Sequence, residues 1–113
     1  MGLNSFYPGT TKCFSVAITH DGGTPNITGD VVTFRMKLSP ADSDAAAVVT
    51  AVADVLTSGA TGVALVELTP DDTKALRERN HYYDVEWRTA AGDEYIVASG
   101  EVRVMTRVSD VPA

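Results

Sequence analysis

"TPDDTKALRERNHYYDVEW", residues 69–87, runs two periodicities end to end, and the junction between them decides the fold. The first half opens a helical turn. Thr69 can cap it, Pro70 suits the first helical position, and Asp71 and Asp72 suit the positive end of the aligned peptide dipoles. The second half is a strand, with Tyr83, Val85 and Trp87 on one face and Tyr82, Asp84, Glu86 and Arg88 on the other. Residues 70–78 are therefore expected as a short helical turn that carries the chain from one sheet of a β-sandwich to the other. Thr73 and Leu76 would plug that corner, and Tyr83 (or Tyr82) would tie it down at the start of the next strand.

Working outward, "KCFSVAITH" (12–20) alternates, with Phe14, Val16 and Ile18 on one face. "DGGTPNITGD" (21–30) is a run of turn residues. In "VVTFRMKL" (31–38), Val32, Phe34, Met36 and Leu38 face in while Thr33, Arg35 and Lys37 face out. "GVALVEL" (62–68) is a further strand, and "RTAAGDEY" (88–95) is a hairpin loop around Gly92 and Asp93. In "YIVASGEVRVMTRV" (95–108), Ile96, Ala98, Val102, Val104 and Val108 share a face, with Gly100 as the bulge or bend. Residues 45–56 fit two patterns. Val48, Val49, Val52, Val55 and Leu56 have helical spacing, but their β-branched character favours a strand after a short turn.

The sum is an all-β, antiparallel sandwich of about seven short strands in a single domain, 1–113. Its expected core is Val16, Ile18, Phe34, Met36, Leu65 or Val66, Leu76, Tyr83, Val85, Trp87, Val102 and Val104. Residues 1–11 form an irregular N-terminal arm and residues 109–113 a C-terminal tail.

Bulk properties narrow the function. The 113 residues suit one core and not two. The net charge of -6 argues against nucleic acid as a partner, since phosphate contacts need clustered Lys and Arg. The arm lacks the basic start and apolar core of a signal peptide, and no apolar run approaches the ~20 residues of a membrane helix. The expectation is a soluble domain made in the cytoplasm, with no membrane contact. A single cysteine, Cys13, excludes an intrachain disulfide.

The residue types that could carry chemistry have structural explanations. His20 and His81 have no carboxylate at metal-motif spacing and read as surface or edge histidines. Cys13, beside Phe14, has no base partner nearby and reads as an inert, half-buried thiol. "DSD" (42–44) and "DD" (71–72) lack the glycine and glutamate of a calcium loop and read as capping and turn aspartates. "NIT" (26–28) reads as a turn, and Trp87 with Tyr83 as a core pair before a sugar platform. No catalytic residue, metal site or cofactor is expected.

The order of phrases, from "FYPGTT" through "FSVAITHDGGTPNITGDVVTFRMK" and "GVALVELTPDDTKAL" to "YYDVEW" and "GEVRV", resembles an Ig-like domain of tailed bacteriophages. The N-terminal domain of upper baseplate proteins is its best-named example. The shared elements are Gly9-Thr10 before the first strand, Gly29 before "VVTFRMK", "LTPDDT" at 68–73, Tyr83-Asp84-Val85, and Gly100 before the last strand. Together they span the chain from about Phe6 to Val108. The resemblance implies an Ig-like sandwich and a non-enzymatic structural role in a virion. Its partners would be major capsid or tail/baseplate proteins, bound in multiple copies and with self-association. Baseplate proteins carry further domains, so a lone acidic domain also suits capsid decoration. Leu3, Phe6, Tyr7 and Pro8 in the arm are the expected partner-binding residues, though the arm could equally fold back on its own domain. A stand-alone Ig-like module for carbohydrate or a host surface is the alternative, and it needs exposed aromatics. An enzyme, the third possibility, would need a site that no motif supplies.

Overall fold

A computed structural model of the chain describes residues 5–76 and 79–105, with the side chains of Ser5 and Phe6 outside that description. Seven strands and one helical turn follow in order: β1 (Ser5–Phe6), β2 (Lys12–Ala17), β3 (Val31–Lys37), β4 (Val49–Val52), β5 (Val63–Leu68), α1 (Pro70–Thr73), β6 (Asn80–Arg88) and β7 (Glu94–Val104). They form a five-stranded sheet, β1-β7-β6-β3-β4, and a two-stranded sheet, β2-β5. The layers meet through the inward residues of each alternating strand. The rings of Phe14 and Phe34 pack edge-on at 5.3 Å across the interface. A β7-β6-β3 sheet opposed by β2-β5, with the chain crossing between layers at a helical turn, is an all-β sandwich whose second sheet is reduced to a pair.

The expected alternation places Val16, Ile18, Phe34, Met36, Val66, Leu76, Val85, Trp87, Val102 and Val104 in the core. Tyr83 is half-buried and packs against it. Of the Leu65/Val66 pair, Val66 points inward. Leu65 instead exchanges two backbone hydrogen bonds with Asp54 along the outer side of β5. Residues 49–52 are a strand, preceded by a 3-10 turn at Asp44–Ala46, as their β-branched residues suggest. The corner also follows the sequence. Thr69 and Asp72 form a reciprocal capping box, and Thr73, fully buried, donates its hydroxyl to the Thr10 carbonyl at 2.9 Å.

Several expectations need correcting. The helical turn spans Pro70–Thr73, not 70–78; residues 77 and 78 lie outside the described residues. After one turn the Leu76 amide closes onto the Thr73 carbonyl, and Leu76 then drops into the core. The bulge in β7 is not at Gly100. Pairing shifts between Val85 and Glu86, whose partners are Ala98 and Ile96, so Val97 is the extra residue. Val97 and Ala98 both pack against the core, and parity is reversed before them: Ile96 faces out and is 59% exposed. Gly100 instead pairs in register with Tyr83. A Cβ there would lie 3.1 Å from the Tyr83 hydroxyl oxygen and 3.3 Å from two ring carbons, so the glycine makes room for the ring. Tyr83 also stacks on Phe34 at 5.8 Å, so its ring packs between β3 and β7. No hydroxyl bond from Tyr82 or Tyr83 to upstream backbone occurs among the described residues.

The turn-rich segment 21–30 also contributes to the core. Ile27 is fully buried, its amide donates to the Gly59 carbonyl, and Asn26 Oδ1 accepts from both the amide and the hydroxyl of Thr28. Gly62 holds the neighbouring loop with φ 79°, and a side chain there would meet the Pro25 carbonyl at 3.0 Å. Ser5 and Phe6 pair in parallel with Arg103 and Val104, so this part of the arm lies along its own sheet and makes the fold's one parallel pair among the described strands.

Candidate functional site

The outward residues of β3 and β6 form a charged surface on the five-stranded sheet. Register sets it out in rows: Thr33 lies opposite Glu86, Arg35 opposite Asp84, and Lys37 opposite Tyr82. Across β6, Asp84 meets Ser99 and Tyr82 meets Glu101. Pro40, in the turn after β3, also lines the resulting groove, about 360 Å³ in volume. The cations in this groove are already engaged. The Arg35 guanidinium lies 3.4 Å from Glu86 and 4.0 Å from Asp44. Lys37 Nζ donates to an Asp44 carboxylate oxygen and to the Asp42 carbonyl, both at 2.9 Å. The Lys37 hydrogen bond, aided by the Arg35 charge, holds the Asp44 carboxyl below the usual carboxylate range. Asp84 lines the groove, and its buried Oδ1 has no hydrogen-bond partner among the described residues. An unpaired buried carboxylate oxygen favours a donor, so this groove suits a hydroxyl, amide or basic side chain of a partner.

A second feature lies at the end of the sandwich near the β6–β7 hairpin. His20, Trp87 and Tyr95 pack ring to ring at 4.9 to 5.6 Å. Trp87 is 4% exposed and donates its indole N–H to Asp30 Oδ2 at 2.8 Å, while Asp30 Oδ1 accepts from the Ala90 amide at 3.0 Å. Trp87 is therefore a structural side chain. Tyr95 and His20 present the accessible part of the cluster.

The histidines part company. His20 stays at the surface, as expected. His81 is wholly buried, contrary to the surface or edge reading, because it occupies an inward position of β6 opposite Val102. Its Nδ1 lies 3.0 Å from the Arg79 carbonyl, and its Nε2 has no partner among the described residues. Burial pushes its pKa down, with a smaller contribution from the Arg79 charge, so the neutral ring is favoured. The parity of β6 offered the signal: residues 81, 83, 85 and 87 share a face, and His81 belongs to it.

The thiol of Cys13 is exposed rather than half-buried, because its position points out from β2. The aspartates at 42, 44, 71 and 72 serve turns, ion pairs and the capping box. Among the described residues no three His, Cys, Asp or Glu side chains gather as a metal site, and no helix is long and apolar enough to cross a membrane. Of the expected partner-binding residues, Leu3 lies outside the described residues and Phe6 is in β1. Tyr7 is 49% exposed, and Pro8 is buried. Sequence reasoning did not find the Arg35–Glu86–Asp44–Lys37 network. Outward Arg35 and Lys37 were legible, but their partners depend on the β3–β6 register and on the turn after β3. No protein-family model matches the chain, and no curated protein matches it.

Proposed function

We propose that this chain is a non-enzymatic structural protein of a tailed phage or prophage particle, made in the bacterial cytoplasm and docking in multiple copies onto capsid or tail/baseplate proteins. One observation carries the reading. Segments of the phrases that carry the phage Ig-like resemblance fall on successive elements of the sandwich: "FSVA" on β2, "VVTFRMK" on β3, "VALVEL" on β5, "PDDT" on α1, "YYDVEW" on β6 and "GEVRV" on β7. The charged groove and the arm supply surfaces of the kind such docking uses. Tyr7 remains half-exposed beside the zipped Ser5–Phe6 pair. A multi-copy lattice would turn a weak contact of this size into stable attachment through avidity. The net charge of -6 opposes unspecific association of free copies, so contact between them is confined to uncharged surface.

The test is particle composition. The protein should be found by mass spectrometry in purified particles from a genome carrying its gene. Purified chain should also co-sediment with particles from which that gene is deleted. Its absence from wild-type particles, with no binding to the deleted ones, overturns the proposal.

A second reading, carbohydrate or host-surface binding, is favoured by the accessible Tyr95 and His20 rings. Trp87, the largest ring of that cluster, is covered, which leaves a small stacking platform.

A further inference from the structure

Among the described residues, the two-stranded sheet ends on an unguarded edge. The Ile18 amide donates to the Gly62 carbonyl at 2.8 Å, which makes residues 18 and 62 a hydrogen-bonded pair in the β2–β5 ladder. In an antiparallel ladder such pairs alternate, so Phe14 and Val16 also turn their peptide groups toward β5, and Cys13, Ser15 and Ala17 turn theirs away. The opposite side of the ladder agrees: Leu65, the partner of Ser15, directs its N–H and C=O away from β2, to Asp54. Among the described residues no group bonds to the outward N–H and C=O of Cys13, Ser15 and Ala17.

Sheet edges are ordinarily protected by charge, proline, a bulge or short length. The β5 edge has its Asp54 bridge, and β4 is four residues long. The six-residue β2 has none of these along its middle: Cys13, Ser15 and Ala17 are small, uncharged and exposed.

We propose that two copies of the chain pair antiparallel through this edge, forming a continuous β5-β2-β2-β5 sheet with Ser15 opposite Ser15 of the second copy. This centre is selected because it uses all three outward positions of both strands, with Cys13 opposite Ala17 on either side. Each pair exchanges two backbone hydrogen bonds. The charge pattern supports a second copy as the occupant. Two chains of net charge -6 repel, and this register brings only Cys, Ser and Ala side chains together. The nearest acidic residue on that face, Glu67, pairs with Cys13. Its counterpart falls three strand spacings and four residues away, about 20 Å and well beyond a Debye length of about 8 Å. The contact specifies the self-association within the proposed function and rests on that reading for its biological purpose. The test uses purified chain alone, so its failure leaves particle docking standing.

Disulfide trapping reads the register directly. Cα atoms of a hydrogen-bonded antiparallel pair lie about 5.5 Å apart, inside the disulfide window. Ala17→Cys, treated with diamide, should therefore form a covalent dimer linked 13 to 17 on both sides. In wild type the two Cys13 residues would sit about 14 Å apart in this register and should cross-link slowly, so the variant should be roughly tenfold faster or more. Adding Ser15→Lys places like charges opposite each other and should abolish the difference while leaving the melting temperature near that of Ala17→Cys. Equal rates for wild type and Ala17→Cys, or rates indifferent to Ser15→Lys, overturn the proposal. So does cross-linking that appears only after deletion of residues 2–4, which would assign the edge to the chain's own N-terminus.

Discussion

Replacing His81 with leucine should leave the protein at least as stable near pH 8 and remove a component of its acid sensitivity. The buried Nε2 is unpaired among the described residues, and such a group costs about 1–3 kcal/mol. The Nδ1 contact with Arg79, worth about 0.5–1.5 kcal/mol, would be lost. The Arg79 carbonyl would not be orphaned, because the Val104 amide also donates to it at 3.0 Å. The two terms nearly cancel or favour leucine, a side chain of similar bulk among Val102 and its neighbours. The pH dependence has a definite sign. The folded-state pKa of His81 lies below its ordinary value, so the unfolded chain binds the proton more readily. Stability is fully present above about pH 6.5 and declines as pH falls through the folded-state pKa, by at most about 1.4 kcal/mol per unit for one proton. Urea titrations from pH 8 to 5.5, followed by the fluorescence of the single tryptophan, measure both effects. His20 is retained in both proteins and contributes equally. A variant several kcal/mol less stable at pH 8, or one with the same decline toward pH 5.5, would refute the reasoning.

Other substitutions test the packing. Trp87→Ala empties a ring that is 4% exposed and releases Asp30, and should cost about 3–5 kcal/mol in chemical denaturation. Gly100→Ala forces the Tyr83 ring off its seat and should cost about 1–3 kcal/mol, with Tyr83→Leu in the same chain restoring part of the loss; an unaffected melting temperature would show that the ring moves freely. Thr69→Ala breaks the capping box and should cost about 1 kcal/mol, whereas no change would mean that Thr73 and Leu76 hold the corner without it. In acid, Asp44 and Asp54 should add a further loss below about pH 4, since hydrogen bonds from Lys37 and from Thr57 respectively hold their carboxyls low.

Period-2 alternation made most of the sandwich legible. Val32, Phe34 and Met36 on β3, and Val85 and Trp87 on β6, are buried as their spacing dictates. The corner was legible too, because proline, aspartate and threonine at fixed offsets have local physical roles. What escaped was non-local. The bulge at Val97 depends on how β7 meets β6, and that single inserted residue puts Ile96, before it, on the opposite face from Val102 and Val104, after it. Ile27 looked like part of a turn because its neighbours are turn formers, yet one apolar side chain in such a loop can be drawn into the core. The charged groove arises from residues some 50 positions apart whose proximity no local pattern announces.

The Asp30 carboxylate has a further consequence. Sliding β6 along β3 by two residues would keep every apolar side chain facing inward, so hydrophobic burial alone barely distinguishes the true alignment from that alternative. Such a slide displaces Trp87 and Ala90 by about 7 Å relative to Asp30, and both of its hydrogen bonds are then lost. Asp30 thus acts as an index mark, one side chain that tells two otherwise interchangeable strand alignments apart.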